Sequence, residues 1–165
     1  MNIVFPPLYA IIDADLMFAA GCQYSSHPFK TSELSFAEMM AESGVEILQY
    51  RSTHATSRQL FDICSLLVRQ WPRLAKDSSR APRFIVNDRS DIASLVGAGG
   101  VHVGQTDLGV EQARAVVGPQ SWVGVSTHNL EQVAAADETS ADYIAFGPIF
   151  PTTTKENPDP VVGFD

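Results

Sequence analysis

The sequence predicts an α/β protein with a parallel sheet, and three observations carry that prediction. Short apolar runs alternate with stretches of helical periodicity along the 165 residues. Single helices between strands make the strands parallel, because each crossover returns the chain to the same end of the sheet. Polar side chains follow each apolar run directly. No change in composition marks a linker, so residues 1–165 are interpreted as one domain.

The first part of the chain is predicted to contain two strands with a helix between them. The runs LYAII (8–12) and VEILQY (45–50) are typical of buried strands. A polar loop is expected over residues 19–31. A helix should then begin at about Ser32 and end at Gly44, which stands in the usual position of a left-handed cap.

A strongly amphipathic helix is predicted after Thr56 and Ser57, which can cap it. Its apolar residues fall at i, i+3, i+4, i+7 and i+8, namely Leu60, Ile63, Cys64, Leu67 and Val68. The helix should stop at Trp71-Pro72, because the residue before a proline is disfavoured in the α region. The same alternation continues with shorter elements. The expected ranges are strand 83–87, helix 92–96, strand 99–104, helix 110–117, strand 121–126, helix 130–137 and strand 142–147.

Polar residues stand at the carboxyl end of every predicted strand. In chain order they are Asp13, Gln49, Arg51, Asn87, Asp88, His102, Gln105, Asp107, Ser126, Thr127 and His128, and the last strand leads through Gly147 into PIFPTTTK. Because the carboxyl ends of parallel strands meet at one edge of the sheet, these side chains should converge on a single site.

A barrel accounts for this distribution better than an open, doubly wound sheet. The segment DADLMFAAGCQYSS after the first strand lacks the G-x-G-x-x-G pattern of a dinucleotide-binding fold. A doubly wound sheet uses mainly the loops at its switch point, whereas a barrel uses the loop after every strand. The sequence therefore predicts an incomplete TIM-type (β/α) barrel, with about six of the eight strands present.

Charge and cysteine content exclude several classes of function. With 11 Lys+Arg against 19 Asp+Glu, the net charge of −8 disfavours nucleic acid or an anionic membrane as a partner. Cys22 and Cys64 have no CxxC or Cys/His spacing, so neither a disulfide framework nor a structural zinc site is indicated. The N-terminal MNIVFPPLYAIIDAD has neither a basic segment nor a long apolar run. We therefore expect a cytoplasmic protein with no signal peptide or membrane anchor.

Several motifs carry a resemblance to a known family. The strings LYAIID, LQYR, FIVNDRSDIA, GGVHVGQTDL, VGVSTHN and DYIAFGPIFPTTTK occur in this order along the chain. They resemble the successive signatures of thiamine-phosphate synthase, in the superfamily that includes the TenI-type thiazole tautomerases. The resemblance implies a TIM barrel that joins hydroxymethylpyrimidine diphosphate to hydroxyethyl-methylthiazole phosphate, releases pyrophosphate and needs Mg²⁺. The implied partners are phosphorylated small molecules.

The resemblance also implies roles for individual residues. Asp88 and Asp107 match the magnesium ligands. Arg51, Asn87 and Lys155 match groups that hold the diphosphate, and Gln49 matches a neighbour of the pyrimidine and the diphosphate. Ser126 matches the residue near the pyrimidine amino group, and Thr152 and Thr154 match the segment that contacts the thiazole phosphate. Of these, Arg51, Ser126 and Lys155 are the expected catalytic residues.

Purely structural roles compete with these assignments. Asp88 can cap the short helix that begins near Arg89, and Asp107 can be a turn residue before Gly109. His102 lies inside an apolar strand, where a structural histidine is the commoner case. Ser126 and Thr127 precede a helix and can cap it. The PTTTK segment can be a surface loop with an exposed lysine.

The chain departs from the family pattern at one residue and in length. Thr53 stands where the family usually has a lysine, and His54 or Arg58 would have to compensate. The sequence stops after the loop that follows strand six, so the thiazole phosphate subsite of strands seven and eight is not encoded. We therefore expect exposed strand edges, and no activity unless a second copy or a complementing chain completes the barrel. The alternative functions are a TenI-type tautomerase and a non-catalytic remnant that binds phosphate.

Overall fold

Strands and helices alternate along the part of the chain described by a computed structural model, which covers residues 5–19, 32–75, 82–151 and 159–163. In chain order the elements are β1 (Tyr9–Asp13), α1 (Ala14–Ala19), α2 (Ser32–Glu42), β2 (Ile47–Arg51), α3 (Ser57–Leu74), β3 (Arg83–Asn87), α4 (Ser90–Val96), β4 (Gly100–Val103), α5 (Val110–Val117), β5 (Trp122–Thr127), α6 (Leu130–Asp137) and β6 (Tyr143–Phe146). Among these residues no helix is both long and apolar enough to cross a membrane.

The six described strands form one parallel sheet in the order β1-β2-β3-β4-β5-β6. The sheet is curved, because the hydroxyls of Tyr9 on β1 and Tyr143 on β6 lie 2.9 Å apart although these are its first and last strands. The architecture is therefore a half-barrel with helices between the strands, which confirms the predicted α/β fold and the incomplete barrel.

Strand alternation separates two faces of the sheet. On the outer face, Leu48, Tyr50, Val86 and Val101 are almost fully buried in a core that they share with the helices. The opposite face is concave, and the residues between these core positions point into it. It carries most of the polar side chains that the sequence places at the strand ends, which is how the fold brings them together.

Helix α3 shows both the strength and the limit of pattern-based prediction. Thr56 caps it as expected: its Oγ1 accepts from the Gln59 amide at 3.3 Å, while Gln59 Oε1 accepts from the Thr56 amide at 2.9 Å. The predicted stop at Trp71-Pro72 is wrong, because the helix continues to Leu74. The proline lies in the last turn and removes one backbone hydrogen bond there, while the fully buried Trp71 anchors that turn in the core.

The other elements differ from the predicted ranges mainly at their ends. Helices α5 and α6 match the predicted residues, and strand β3 does as well. Helix α1 is an addition that the sequence did not indicate, because it has only six residues and follows β1 without a separating turn. Most of the expected loop over residues 19–31 lies outside the described residues.

Candidate active site

A cavity of about 900 Å³ occupies the concave face of the sheet. Each strand, or the loop that follows it, contributes to its lining. The described residues to which the family resemblance gives a site role all line it: Gln49, Arg51, Asn87, Asp88, Asp107 and Ser126. Of the other strand-end residues that we expected at the site, His102, Gln105 and His128 also line it, whereas Asp13 and Thr127 do not. The remaining predicted residues, Thr152, Thr154 and Lys155, lie outside the described residues.

Asp88 sits at the mouth of β3 in a left-handed backbone conformation, with φ of 59°. Its amide donates to the carbonyl of His102 at 2.7 Å, and its own carbonyl accepts from the Ser90 amide at 3.1 Å. The residue that precedes α4 is Arg89, and that helix has no side-chain cap. The capping role considered for Asp88 is therefore wrong, and its carboxylate belongs to the cavity lining.

Asp107 follows β4 and combines two roles. Its Oδ2 accepts from the Gly104 amide at 2.8 Å, which confirms the turn role, and the residue also lines the cavity. Two carboxylates from the loops after adjacent strands therefore border the same space.

Two carboxylates are a donor set that suits a magnesium ion shared with a phosphorylated ligand. Mg²⁺ prefers hard oxygen ligands and is commonly held by one or two carboxylates together with substrate phosphates. No group of three or more His, Cys, Asp or Glu residues suited to a metal occurs in the described part of the chain. An ion held by Asp88 and Asp107 would need ligand oxygens and water to complete its coordination.

Arg51 is oriented at the edge of the cavity by an ion pair with Asp13 at the end of β1. The two side chains are only 17% and 14% exposed, and the Leu16 amide donates to the second oxygen of Asp13 at 3.2 Å. A guanidinium has five N–H donors in a fixed plane. Asp13 can therefore hold Arg51 in place while other donors of the same group bind an anionic ligand.

A continuous set of hydrogen-bonded side chains crosses the concave face, and we call it the interior network. Tyr9 OH donates to Gln49 Oε1 at 2.7 Å, and Gln49 Nε2 donates to Asn87 Oδ1 at 2.5 Å. On the other side, Tyr9 and Tyr143 share a hydrogen bond of 2.9 Å. The network consists of Asn87, Gln49, Tyr9, Tyr143, His102 and Ser126.

His102 joins the second half of this network. Its Nδ1 lies 3.0 Å from Tyr143 OH, and its Nε2 lies 2.8 Å from Ser126 Oγ. Burial raises the pKa of Tyr143, and burial likewise raises that of Tyr9 well above its ordinary value, so both phenols stay protonated around neutral pH. His102 is thus bonded to two other residues of the cavity lining, and its purely structural role stays a prediction.

Tyr9 and Tyr143 line the cavity, and the sequence analysis missed both of them. Both lie at the first position of a strand, on the same face as the predicted site residues. Gly124 makes room for Tyr143, since a Cβ at that position would lie 2.0 Å from Tyr143 Cζ. A glycine opposite an aromatic residue on a neighbouring strand was the available signal.

Ser126 and Thr127, the last two residues of β5, do not cap α6 as considered. Asn129 caps it instead, with its Oδ1 accepting from the Gln132 amide at 2.8 Å. Ser126 Oγ is bonded to His102, while Thr127 Oγ1 donates to the carbonyl of Ala145 at 3.1 Å. Ser126 is therefore available to the cavity.

Comparison with known proteins decides the family. The family model described as "Thiamine monophosphate synthase" matches residues 20–165. The chain belongs to this family. A thiamine-phosphate synthase of Koribacter versatilis is 43% identical over 160 residues, which are 97% of this chain and 69% of that protein. A thiamine-phosphate synthase of Caldicellulosiruptor bescii is 37% identical over 134 residues, covering 81% of this chain and 58% of that protein.

A solved structure within the family agrees with this assignment. The thiamine phosphate pyrophosphorylase of Pyrococcus furiosus superposes with a TM-score of 0.71 at 29% identity, over 94% of this chain and 64% of that one. The chain thus spans between 58% and 69% of the length of these three relatives.

Thr53, at the position where the family resemblance predicts a lysine, is bonded to Asp15 in α1. The Asp15 carboxylate accepts from the Thr53 amide at 2.7 Å, from Thr53 Oγ1 at 2.8 Å and from Ser52 Oγ at 2.9 Å. Thr53 therefore anchors the loop after β2. His54 and Arg58 do not line the described cavity, and Arg58 pairs with Asp62 on an exposed helix face. The compensation considered for these two residues is not found.

Replacing Asp15 by asparagine is expected to make the free energy of unfolding depend less on pH in acid. Partial burial acts to raise the pKa of Asp15, but the hydrogen bonds from Thr53 and Ser52 outweigh it and lower the pKa below its ordinary value. A carboxyl with a depressed folded pKa adds stability above its unfolded pKa of about 3.9, and this stability is lost as pH falls through the folded pKa.

Urea unfolding between pH 2 and pH 7 measures this effect. The wild-type chain should lose more stability than Asp15→Asn across the window below about pH 4. Asp62→Asn, which alters an exposed pair of α3, is the matched control. A profile of Asp15→Asn that parallels the wild type would contradict the assignment.

Proposed function

We propose that the chain takes part in the thiamine-phosphate synthase reaction of its family. This reaction joins hydroxymethylpyrimidine diphosphate to the thiazole phosphate and releases pyrophosphate. One observation supports this most strongly: the predicted diphosphate, pyrimidine and metal residues within the described chain line a single cavity. They come from β2, β3, β4 and β5, so the curved sheet brings them to one place.

Asp88 and Asp107 would hold a magnesium ion at the mouths of β3 and β4. The ion would supply charge neutralisation for the departing diphosphate. The Gly104 amide donates to Asp107 Oδ2 at 2.8 Å and so helps to fix that carboxylate.

Arg51 and Asn87 bind the diphosphate in this proposal. Arg51 suits bidentate contact with phosphate oxygens, and the pair with Asp13 holds its guanidinium at the cavity. Lys155 would add a mobile positive charge, as the family resemblance implies. With Thr53 bound to Asp15, Arg51 carries more of the diphosphate binding than it does in a relative with the lysine.

The chemistry is a substitution at carbon without any redox change. The bond between the pyrimidine methylene carbon and the diphosphate oxygen breaks, and its electron pair leaves with the diphosphate. The resulting cation is stabilised by resonance with the pyrimidine ring. The thiazole nitrogen then donates its lone pair to that carbon. Gln49 and Ser126 orient the pyrimidine, while Thr152 and Thr154 contact the thiazole phosphate, so the protein acts by positioning and electrostatics.

Isothermal titration with hydroxymethylpyrimidine diphosphate tests the proposal. Binding should require Mg²⁺ and should weaken at least about tenfold in Asp88→Asn, because the metal loses a charged ligand. Asp91→Asn is the matched control, since Asp91 lies close by in the first turn of α4 but pairs with Arg89 and is 57% exposed.

Three results would count against the proposal. Equal binding with and without Mg²⁺, or an Asp88→Asn variant that binds like the wild type, would overturn the metal assignment. Binding of a thiazole phosphate without metal, together with no binding of the diphosphate, would favour the tautomerase.

A further inference from the structure

The interior network has one member on each of the six described strands. Its links, in spatial order, are Asn87–Gln49 at 2.5 Å, Gln49–Tyr9 at 2.7 Å, Tyr9–Tyr143 at 2.9 Å, Tyr143–His102 at 3.0 Å and His102–Ser126 at 2.8 Å. Both ends, Asn87 and Ser126, line the cavity. The arrangement of protons along the network therefore decides what each end can offer to a ligand.

The direction of the first bonds follows from Gln49. Its Oε1 is an amide oxygen and can only accept, so Tyr9 donates its hydroxyl proton there. A phenol has a single proton to donate. In its bond with Tyr143, Tyr9 must therefore accept, and Tyr143 must donate.

The same reasoning continues through the imidazole. With its proton given to Tyr9, Tyr143 can only accept from His102, so the histidine N–H is on Nδ1. A neutral imidazole carries one N–H, which leaves Nε2 as an acceptor. Ser126 must then donate its hydroxyl proton to Nε2.

We propose that the interior network fixes the hydrogen-bonding character of both ends of the cavity: Ser126 Oγ accepts from a ligand, and Asn87 donates to one. Ser126 has given its own proton to His102, so lone pairs remain for a ligand N–H. Asn87 Oδ1 accepts a hydrogen bond from Gln49 Nε2, so the side-chain NH₂ group of Asn87 is oriented away from Gln49 and can donate to an anionic oxygen. Tyr9, Tyr143 and His102 are positioning residues in this scheme.

The ligand that satisfies both ends carries an amino group on a heterocycle and an anionic oxygen at the far side. This description deepens the proposed function and, for the identity of the ligand, rests on it. The assignment of protons within the network does not depend on the ligand.

Packing holds the network in this geometry. The rings of Tyr143 and His102 have their centroids 5.5 Å apart and are inclined at 29°. Because Gly124 has no side chain, the Tyr143 ring fits beside it. Phe5 covers the two tyrosines, with its ring centroid 6.1 Å from that of Tyr9 and 5.2 Å from that of Tyr143.

Nitrogen NMR of the chain labelled in histidine reads the proton position directly. In the wild type, His102 should carry its proton on Nδ1. Tyr9→Phe removes the acceptor for Tyr143, so Tyr143 can donate to Nδ1 and the histidine proton should move to Nε2. Phe5→Leu changes the packing of both tyrosines without removing a hydroxyl, and it should leave the proton on Nδ1.

Three NMR results would overturn the proposal. The first is a wild-type His102 with its proton on Nε2, because the hydrogen bonds would then run in the opposite direction. The second is a wild-type His102 with protons on both ring nitrogens. The third is a Tyr9→Phe variant whose His102 proton is still on Nδ1. Assignment of the His102 signal uses its loss in His102→Gln.

A binding experiment separates this proposal from the proposed function. The wild type should bind an aminopyrimidine diphosphate more tightly than the analogue with an oxo group in place of the amino group, and Tyr9→Phe should reduce that preference about tenfold, the effect of one hydrogen bond. If neither compound binds while the proton remains on Nδ1, the proposed function fails and the network stands. If both bind with no preference, the role of Ser126 as an acceptor is wrong.

Discussion

Replacing Arg114 by methionine is expected to lower the free energy of unfolding by about 2–3 kcal/mol, because it breaks a partly buried hydrogen-bonded network. The Arg114 guanidinium donates to the carbonyls of Gly118, Ser121 and Ser140 and to the Asp142 carboxylate. It thereby ties α5 to the loops that enter β5 and β6.

The substitution also removes the charged hydrogen-bond donor of Asp142. Its Oδ2 also accepts from the Val123 amide at 2.7 Å, and the Arg114 and Asp142 side chains are only 19% and 22% exposed. Without the guanidinium this carboxylate keeps little compensation for leaving water. Chemical unfolding monitored by circular dichroism measures the change.

Arg58→Met is the matched control for this prediction. Arg58 pairs with Asp62 at 3.2 Å, but the two side chains are 86% and 61% exposed. Exposed pairs of this spacing contribute at most about 0.5 kcal/mol. Equal destabilisation by the two substitutions would show that Arg114 acts as an ordinary surface arginine.

Gly124→Ala is expected to destabilise the chain by about 1–3 kcal/mol through overpacking. The new methyl group would lie 2.0 Å from Tyr143 Cζ and 2.4 Å from its hydroxyl oxygen, so the ring has to move. Since Tyr143 lies between Tyr9 and His102 in the interior network, the same displacement should interrupt the network.

A double-mutant cycle tests whether the clash with the Tyr143 ring causes the destabilisation by Gly124→Ala. In a Tyr143→Leu background the ring is gone, so the cost of Gly124→Ala should fall markedly. Gly100→Ala is a second comparison, because its methyl group would meet the Trp122 carbonyl at 2.5 Å and not Tyr143. Additive effects of Gly124→Ala and Tyr143→Leu would contradict the clash.

The fold could be predicted because its signals are local. The spacing of Leu60, Ile63, Cys64 and Leu67 defines α3, and each of these residues is buried in the structure. Strict alternation of strands and helices then forces parallel pairing, which the observed register confirms. Helix α1 was missed because six residues are too few to show a periodicity.

The candidate site could be predicted only in part. Asn87, Asp88 and Asp107 stand next to strands in the sequence, and the edge rule for parallel sheets is enough to group them. The contact between Tyr9 and Tyr143 joins residues 134 positions apart and depends on the curvature of the whole sheet. No local pattern encodes that curvature, so this half of the site required coordinates.

The left-handed backbone at Asp88 has a consequence for mutational scanning. Aspartate, asparagine and glycine tolerate this conformation, whereas most other residues lose roughly 1–2 kcal/mol of stability in it. The effect of Asp88→Ala would therefore combine a weakened turn with the loss of the carboxylate, and alanine substitution alone cannot separate the two. If the carboxylate holds a metal as proposed, a selection for Mg²⁺-dependent binding of the diphosphate should retain aspartate, while a selection for folded protein alone should also accept asparagine and glycine.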